Sequence, residues 1–166
     1  MSFFIEAVIR GVKEFPIVNS SVDGDYIVYK KNVNIGIAVA LESGLIVPVV
    51  KHADQMNLLG LAKAAQDLAD RARTKRLVPD DVQGGTFTIT NVGVFGSVFG
   101  LPIINQPQVA ILGLGTIVKR PVVIDDMIAV RPIAHVSLSY DHRIVDGADA
   151  SRFMSTVKRE LERPVE

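Results

Sequence analysis

Apolar residues recur at helical spacing near the start of the chain. Phe4, Ala7, Val8 and Val12 form one stripe over residues 3–14, which predicts an amphipathic helix that Phe15-Pro16 ends. Val22-Asp23-Gly24-Asp25 then carries turn chemistry. Past it the period drops from 3.6 to 2, so Tyr26–Lys30 and the β-branched run Val33–Leu41 read as strands. Glu42-Ser43-Gly44 reads as a tight turn. Leu45–Val50 returns as a strand in which Pro48 marks an edge or a bulge. From Asn57, a favoured N-cap residue, to about Arg76 the helical period comes back, with Leu58, Leu61, Ala65, Leu68 and Ala72 on one face. Lys63, Asp67, Asp70, Arg71 and Arg73 on the opposite face read as a solvated surface.

Val78–Asp81 begins a short turn or helix. Gly84-Gly85 introduces an alternating strand, Thr86–Asn91. Val92–Leu101 is rich in glycine, but its G-x-x-G lacks the spacing and the Gly-Lys-Ser/Thr of a nucleotide-phosphate loop. Pro102–Pro107 is a rigid connection. Val109–Val118 is almost continuously apolar, the pattern of a strand buried on both faces. Pro121–Ile124 and Ile128–Arg131 flank Asp125-Asp126, a hairpin signal. A last strand runs from Ile133 to about Tyr140, and a helix from Ala148 to Glu162. Helix, strands, long helix, strands, helix is an α+β order, a mixed β-sheet flanked by helices. No internal repeat or interdomain linker interrupts it, so residues 1–166 read as one domain.

Composition narrows the function. Eighteen basic residues balance eighteen acidic ones, so no net field favours nucleic acid or an anionic membrane. No apolar run is long enough to span a bilayer, and no signal-peptide pattern opens the chain. There is no cysteine, which removes disulfides, thiolate metal sites and a cysteine nucleophile. His52 reads as a surface residue and His135 as a strand residue, neither a metal ligand.

The densest chemistry follows the last strand: Asp141-His142-Arg143-Ile144-Val145-Asp146-Gly147. A histidine at the mouth of a strand is well placed for a general base on a rigid support. The same cluster is also what a solvated salt bridge in a turn looks like. Its order resembles the His-x-x-x-Asp-Gly signature of the acyltransferase (E2) components of 2-oxoacid dehydrogenase complexes, shared with chloramphenicol acetyltransferase. Further matching passages are Glu14-Phe15-Pro16 with Asn19-Ser20-Ser21, Gly44–Val49, Gly84–Asn91 and Pro102–Asn105. The resemblance covers Phe3 to about Pro164.

That resemblance implies a chloramphenicol acetyltransferase-like fold and acyl transfer between dihydrolipoyl-lysine and coenzyme A. It makes His142 the general base and Thr90 the oxyanion donor. Read alone, Thr90 would be an ordinary strand threonine. Asp146 becomes a brace that pairs with a cation. In the relatives this is an arginine near the domain's start; in this chain Asp146 is either unpaired or paired with Arg143. Coenzyme A contacts carried over by position are Thr90, Asn91, Gly115 and Ile117, where Gly115 is either a close approach for a pantetheine arm or a strand bulge. Coenzyme A is a substrate, the lipoyl group comes from a separate domain, and no metal is implied. The resemblance further implies that the chain lacks the family's N-terminal helix and strand, and has no lipoyl or subunit-binding domain. Implied partners are two further copies in a homotrimer, a larger cubic or icosahedral core, a lipoyl domain, and the E1 and E3 components. A bacterial cytoplasm is favoured over the mitochondrial matrix. The acyl group stays open between acetyl, succinyl and branched-chain. Two other readings stand beside this one: a non-catalytic scaffold fragment of such a complex, and a chloramphenicol acetyltransferase-like enzyme with a hydroxyl acceptor.

Overall fold

The computed structural model describes residues 1–42 and 44–163. At its centre is a five-stranded mixed sheet with the order β11-β8-β7-β3-β6. These strands are β3 (Ile35–Ile37), β6 (Val49–Val50), β7 (Phe87–Asn91), β8 (Ala110–Leu114) and β11 (Val136–Tyr140). The inner pairs β3·β7 and β7·β8 are parallel, and the outer pairs β3·β6 and β8·β11 antiparallel. Every residue of β8 is buried, as its apolar run requires. In β7 the alternation expected from sequence gives way to three successive buried residues, Phe87, Thr88 and Ile89. A central strand is covered on both faces, and Thr88 is tolerated there because its hydroxyl donates to Gln108 Oε1 at 2.6 Å.

Helices α1 (Ser2–Glu14) and α3 (Gly147–Glu162) share one face of this sheet. The Phe153 ring of α3 sits 5.7 Å from that of Phe87. The helices approach closely at Gly11, where a Cβ would stand 2.7 Å from the Phe153 ring. Across the seam Glu14 accepts from the Thr156 hydroxyl and from Arg159, each at 2.6 Å. Helix α2 (Leu58–Arg73) is capped by Asn57, whose Oδ1 accepts from the Gly60 amide at 2.8 Å, and buries Leu61, Ala65, Leu68 and Ala72. The fold is α+β, and helix placement follows the hydrophobic stripes.

The strands needed more correction. Ser20–Asp23 is a strand, β1, which pairs with β2 (Tyr26–Tyr29) around a turn that holds Gly24 at φ +57°. Val33–Leu41 is two strands rather than one. The Ile37 amide donates to the Pro48 carbonyl and the Ala38 amide to the Ile89 carbonyl, the last ladder bonds of β3 towards its two neighbours. The chain then leaves the sheet, and β4 (Val39–Leu41) pairs with β5 (Gly44–Ile46). Leu45–Val50 divides likewise around Pro48, with β6 at the sheet edge. The turn expected over Glu42–Gly44 includes Ser43, which lies outside the described residues.

Val109–Val118 also breaks. Strand β8 stops at Leu114, and Gly115–Ile117 belong to no strand. The Gly115 amide donates to His135 O at 2.9 Å and the Thr116 amide to Ser97 O at 2.8 Å. The first bond extends the β8·β11 register by one rung; with the second the chain leaves the sheet, and it then enters the hairpin of β9 (Val118–Ile124) and β10 (Met127–Ile133). Its turn holds Asp125 and Asp126 in the left-handed region, as a two-residue hairpin turn requires. His135 falls in the connection between β10 and β11, exposed and outside any strand, contrary to the sequence expectation.

Candidate active site

Strand β11 delivers His142. Its final residue, Tyr140, pairs with Ala110, and the Asp141 amide extends the ladder by donating to Val109 O at 2.8 Å. The chain then turns sharply, and Asp141 holds the turn from several sides. Its carbonyl accepts from the Ile144 and Val145 amides at 3.0 and 2.9 Å. Its carboxylate accepts from the Arg143 amide at 3.0 Å and receives the Arg143 guanidinium at 3.0 Å (Nε–Oδ1) and 2.6 Å (Nη2–Oδ2). The Arg143 side chain, by hydrogen bonding first, holds the Asp141 carboxyl below the usual carboxylate range, and burial opposes it only in part. Val145, fully buried, anchors the far end. His142 is thus exposed on a turn whose backbone is fixed on both sides.

Asp146 does something the sequence did not indicate. It is the N-cap of α3, accepting from the Asp149 amide at 2.8 Å. Of the two alternatives for Asp146, pairing with Arg143 is excluded, because that side chain goes to Asp141; Asp146 makes no ion pair among the described residues. Asp141, read only as one charge of a cluster, is the residue that organises the turn. Its spacing two before Arg143 and three or four before Ile144 and Val145 is the signal that could have shown it.

Thr90 and Asn91 end β7 and line a cleft of about 690 Å³ between β7, β4 and α2. Among the described residues, neither side chain makes a hydrogen bond within the protein. Gly115 and Ile117 do not line this cleft. A Cβ at Gly115 would lie 1.8 Å from the Val98 carbonyl oxygen, so the protein's own loop takes the close approach offered to a pantetheine arm. Ile117 is exposed beyond the end of β8.

Thr90 and His142 are far apart within one chain. The rungs Thr90–Gly113–Ser137 and Thr88–Ile111–Ser139 set the sheet's scale. Tyr140 lies three residues along and two strands across from Thr90, roughly 14 Å at about 3.4 Å per residue and 4.8 Å per strand spacing. His142 is farther still. The faces also differ. Phe87 packs on α3, so Thr88 and Thr90 point to the opposite face with Gly113 and Ser137. Tyr140 points towards α3, its hydroxyl 3.8 Å from the place of a Cβ on Gly147. The His142 ring lies beside it, with ring centroids 5.6 Å apart.

The model of the family described as 2-oxoacid dehydrogenases acyltransferase (catalytic domain) matches residues 1–166. The chain is 51% identical over 164 residues to the dihydrolipoyllysine-residue succinyltransferase component of the 2-oxoglutarate dehydrogenase complex of Bartonella vinsonii subsp. berkhoffii. It is 52% identical over 162 residues to the lipoamide acyltransferase component of the branched-chain alpha-keto acid dehydrogenase complex of Bacillus subtilis strain 168. These alignments take in 99% and 97% of this chain but only 40% and 38% of those proteins. The fold matches a probable dihydrolipoamide acetyltransferase from Listeria monocytogenes 4b F2365 with TM-score 0.94 and 49% identity, over 97% of this chain and 69% of that one. It matches the cubic core of a pyruvate dehydrogenase multienzyme complex with TM-score 0.92 and 41% identity, over 96% of this chain and 67% of that one. The dihydrolipoamide acetyltransferase of Azotobacter vinelandii matches with TM-score 0.92 and 40% identity, over 96% and 67%; in that enzyme a serine, a histidine and an asparagine were studied for their role in the catalytic mechanism. A chloramphenicol acetyltransferase, at TM-score 0.58 and 17% identity over 97% of this chain and 77% of that one, shares the fold alone.

Proposed function

This chain belongs to the family of 2-oxoacid dehydrogenase acyltransferase catalytic domains, and on that premise we propose that it moves an acyl group between a dihydrolipoyl thiol and coenzyme A. The observation that carries the proposal is the exposed His142 imidazole on a turn locked by Asp141. Thr90, His142 and Asp146 stand at the same spacings as the serine, histidine and asparagine studied in the Azotobacter vinelandii enzyme. A free thiol titrates near 8.5, so a neutral imidazole is matched to take its proton as it attacks the other thiol's thioester. The C–S bond to the departing thiol then breaks, and the imidazolium returns the proton to that sulfur. The tetrahedral intermediate carries an oxyanion, and the Thr90 hydroxyl, without a partner of its own among the described residues, is the donor for it. No cysteine is present to form an acyl-enzyme, which favours direct transfer between the two thiols.

A base and an oxyanion donor must each come within about 3 Å of the same reacting group. Opposite faces and opposite ends of one sheet do not allow that, so the site is completed by His142 of one copy and Thr90 of another. The solved cubic core supports this reading through its likeness to the chain. Asn91 contacts coenzyme A beside Thr90, while the packing of Gly115 against Val98 argues for a structural role there and the exposed Ile117 is left free to meet coenzyme A. The lipoyl arm comes from a separate domain, and the partners are two further copies in a trimer, a larger core, and the E1 and E3 components. Relatives named for succinyl, branched-chain and acetyl transfer are similarly close, so the acyl class is left to experiment. Acetyl-, succinyl- and isobutyryl-CoA, tested with free dihydrolipoamide, should show turnover with one of them. His142→Ala should lower that turnover by at least about 100-fold. A near-normal rate in the variant would remove His142 from the reaction.

A further inference from the structure

We infer that Tyr140 is a positioning residue for the imidazole of His142, an inference that rests on the acyl-transfer reading above. The turn fixes the His142 backbone through Asp141, but the imidazole makes no hydrogen bond among the described residues. Two side-chain torsions are therefore left to be set by contact. The ladder bond from the Asp141 amide to Val109 O carries the strand's alternation one residue past Tyr140. His142 follows in the turn, and its ring comes to lie beside that of Tyr140. Their rings meet with centroids 5.6 Å apart and planes inclined by 38°, within the favoured range for a tilted aromatic pair.

Tyr140 can serve as a wall because it is itself held. It is half-buried and packs against the main hydrophobic core. Its hydroxyl reaches the first turn of α3, where it would be in ordinary contact, at 3.8 Å, with a Cβ placed on Gly147. That turn begins at the Asp146 cap. The ring thus stands between the start of α3 and the imidazole, and limits the directions in which His142 can point. Tyr140 touches His142 and acts through it, with no contact to reacting atoms required. Displacing a catalytic group by about 1 Å can cost on the order of 100-fold in rate, so a wall of this kind has a kinetic consequence.

The test uses the assembled protein and dihydrolipoamide with whichever acyl-CoA turns over. Tyr140→Leu removes the ring, and Tyr140→Phe keeps it. Leu should lower kcat about 10-fold with KM for the acyl-CoA within about two-fold, and Phe should stay within about two-fold on both. A normal kcat in the Leu variant overturns the inference. Equal losses in both variants also overturn it, because the hydroxyl and not the ring would then be responsible. Proton NMR of the wild-type protein gives a readout that does not depend on either variant folding. The chain has three histidines, so His142 is assigned by comparison with His142→Gln. Its ring protons should carry an upfield ring-current displacement from Tyr140, and random-coil positions would overturn the contact. No turnover in the wild type, with the displacement present, removes the acyl-transfer reading and the kinetic purpose of the contact with it. Wild-type turnover with an unaffected Leu variant removes the positioning role alone.

Discussion

Mixing two inactive variants tests the shared site directly. His142→Ala removes the base and leaves Thr90; Thr90→Val removes the oxyanion donor and leaves His142. Each alone should fall to about 1% of wild-type turnover or less, since loss of a general base or of an oxyanion donor typically costs on the order of 100-fold. Within one chain Tyr140 already lies roughly 14 Å from Thr90 by strand spacing, on the other face, and His142 is beyond it. If every site takes His142 from one copy and Thr90 from its neighbour, random mixing makes about one site in four intact in a cyclic assembly. Co-refolded or co-expressed protein at equal ratio should therefore recover about a quarter of wild-type turnover, some 25-fold above either parent. The assay is acyl transfer to dihydrolipoamide, with differential tags and native mass spectrometry confirming mixed assemblies. If both residues served one intrachain site, no mixture could contain an intact site. Activity at the parental level in verified mixed assemblies would refute the geometric reasoning.

Two further predictions concern the turn and its surroundings. Asp146→Ala removes the cap of α3 and should cost about 1 kcal/mol, a few degrees in Tm, whereas Asp146→Asn keeps the acceptor and should melt close to the wild type. Equal losses by differential scanning calorimetry would mean that the charge, and not the cap, holds the helix start. Acid sensitivity follows from three carboxyls held below their ordinary range: Asp141 chiefly by the Arg143 side chain, Asp81 by the Val78 amide and then Arg71, and Glu14 chiefly by the Thr156 hydroxyl. A lowered folded-state value means that their stabilisation is fully present above the ordinary carboxylate value and lost as pH falls through the lowered one. Thermal melts should be flat between about pH 5 and 8 as far as these groups are concerned, and decline below about pH 4. A main loss of Tm between pH 6 and 8 would contradict this assignment.

The helices were legible in sequence because a helix declares itself locally. The stripe Leu61, Ala65, Leu68, Ala72 and the cap at Asn57 needed no knowledge of what they pack against. The β9–β10 hairpin was legible for the same reason, through its Asp125-Asp126 turn. Strand ends were not. Val33–Leu41 and Val109–Val118 each read as one apolar run. The runs divide where the sheet's ladder stops, just past the Ala38 bond to Ile89 and the Gly115 bond to His135, and those end points depend on the neighbouring strands. The resemblance made Asp146 a brace for a cation; that it also caps the first turn of α3 is visible only in the structure.

The order of elements, the α+β class and the family could all be read from residues alone, since hydrophobic period, turn chemistry and the Asp-His-Arg-Ile-Val-Asp-Gly passage are properties of neighbours in the chain. Only the tertiary structure decided that Thr90 and His142 lie on opposite faces and at opposite ends of one sheet. Parallel and antiparallel pairing fix that relation across three strands distant in sequence, and no local pattern encodes it. The physical reason is that register is set by which amides meet which carbonyls across the sheet. That register is what supports the proposal that the reaction centre draws on two copies of the chain.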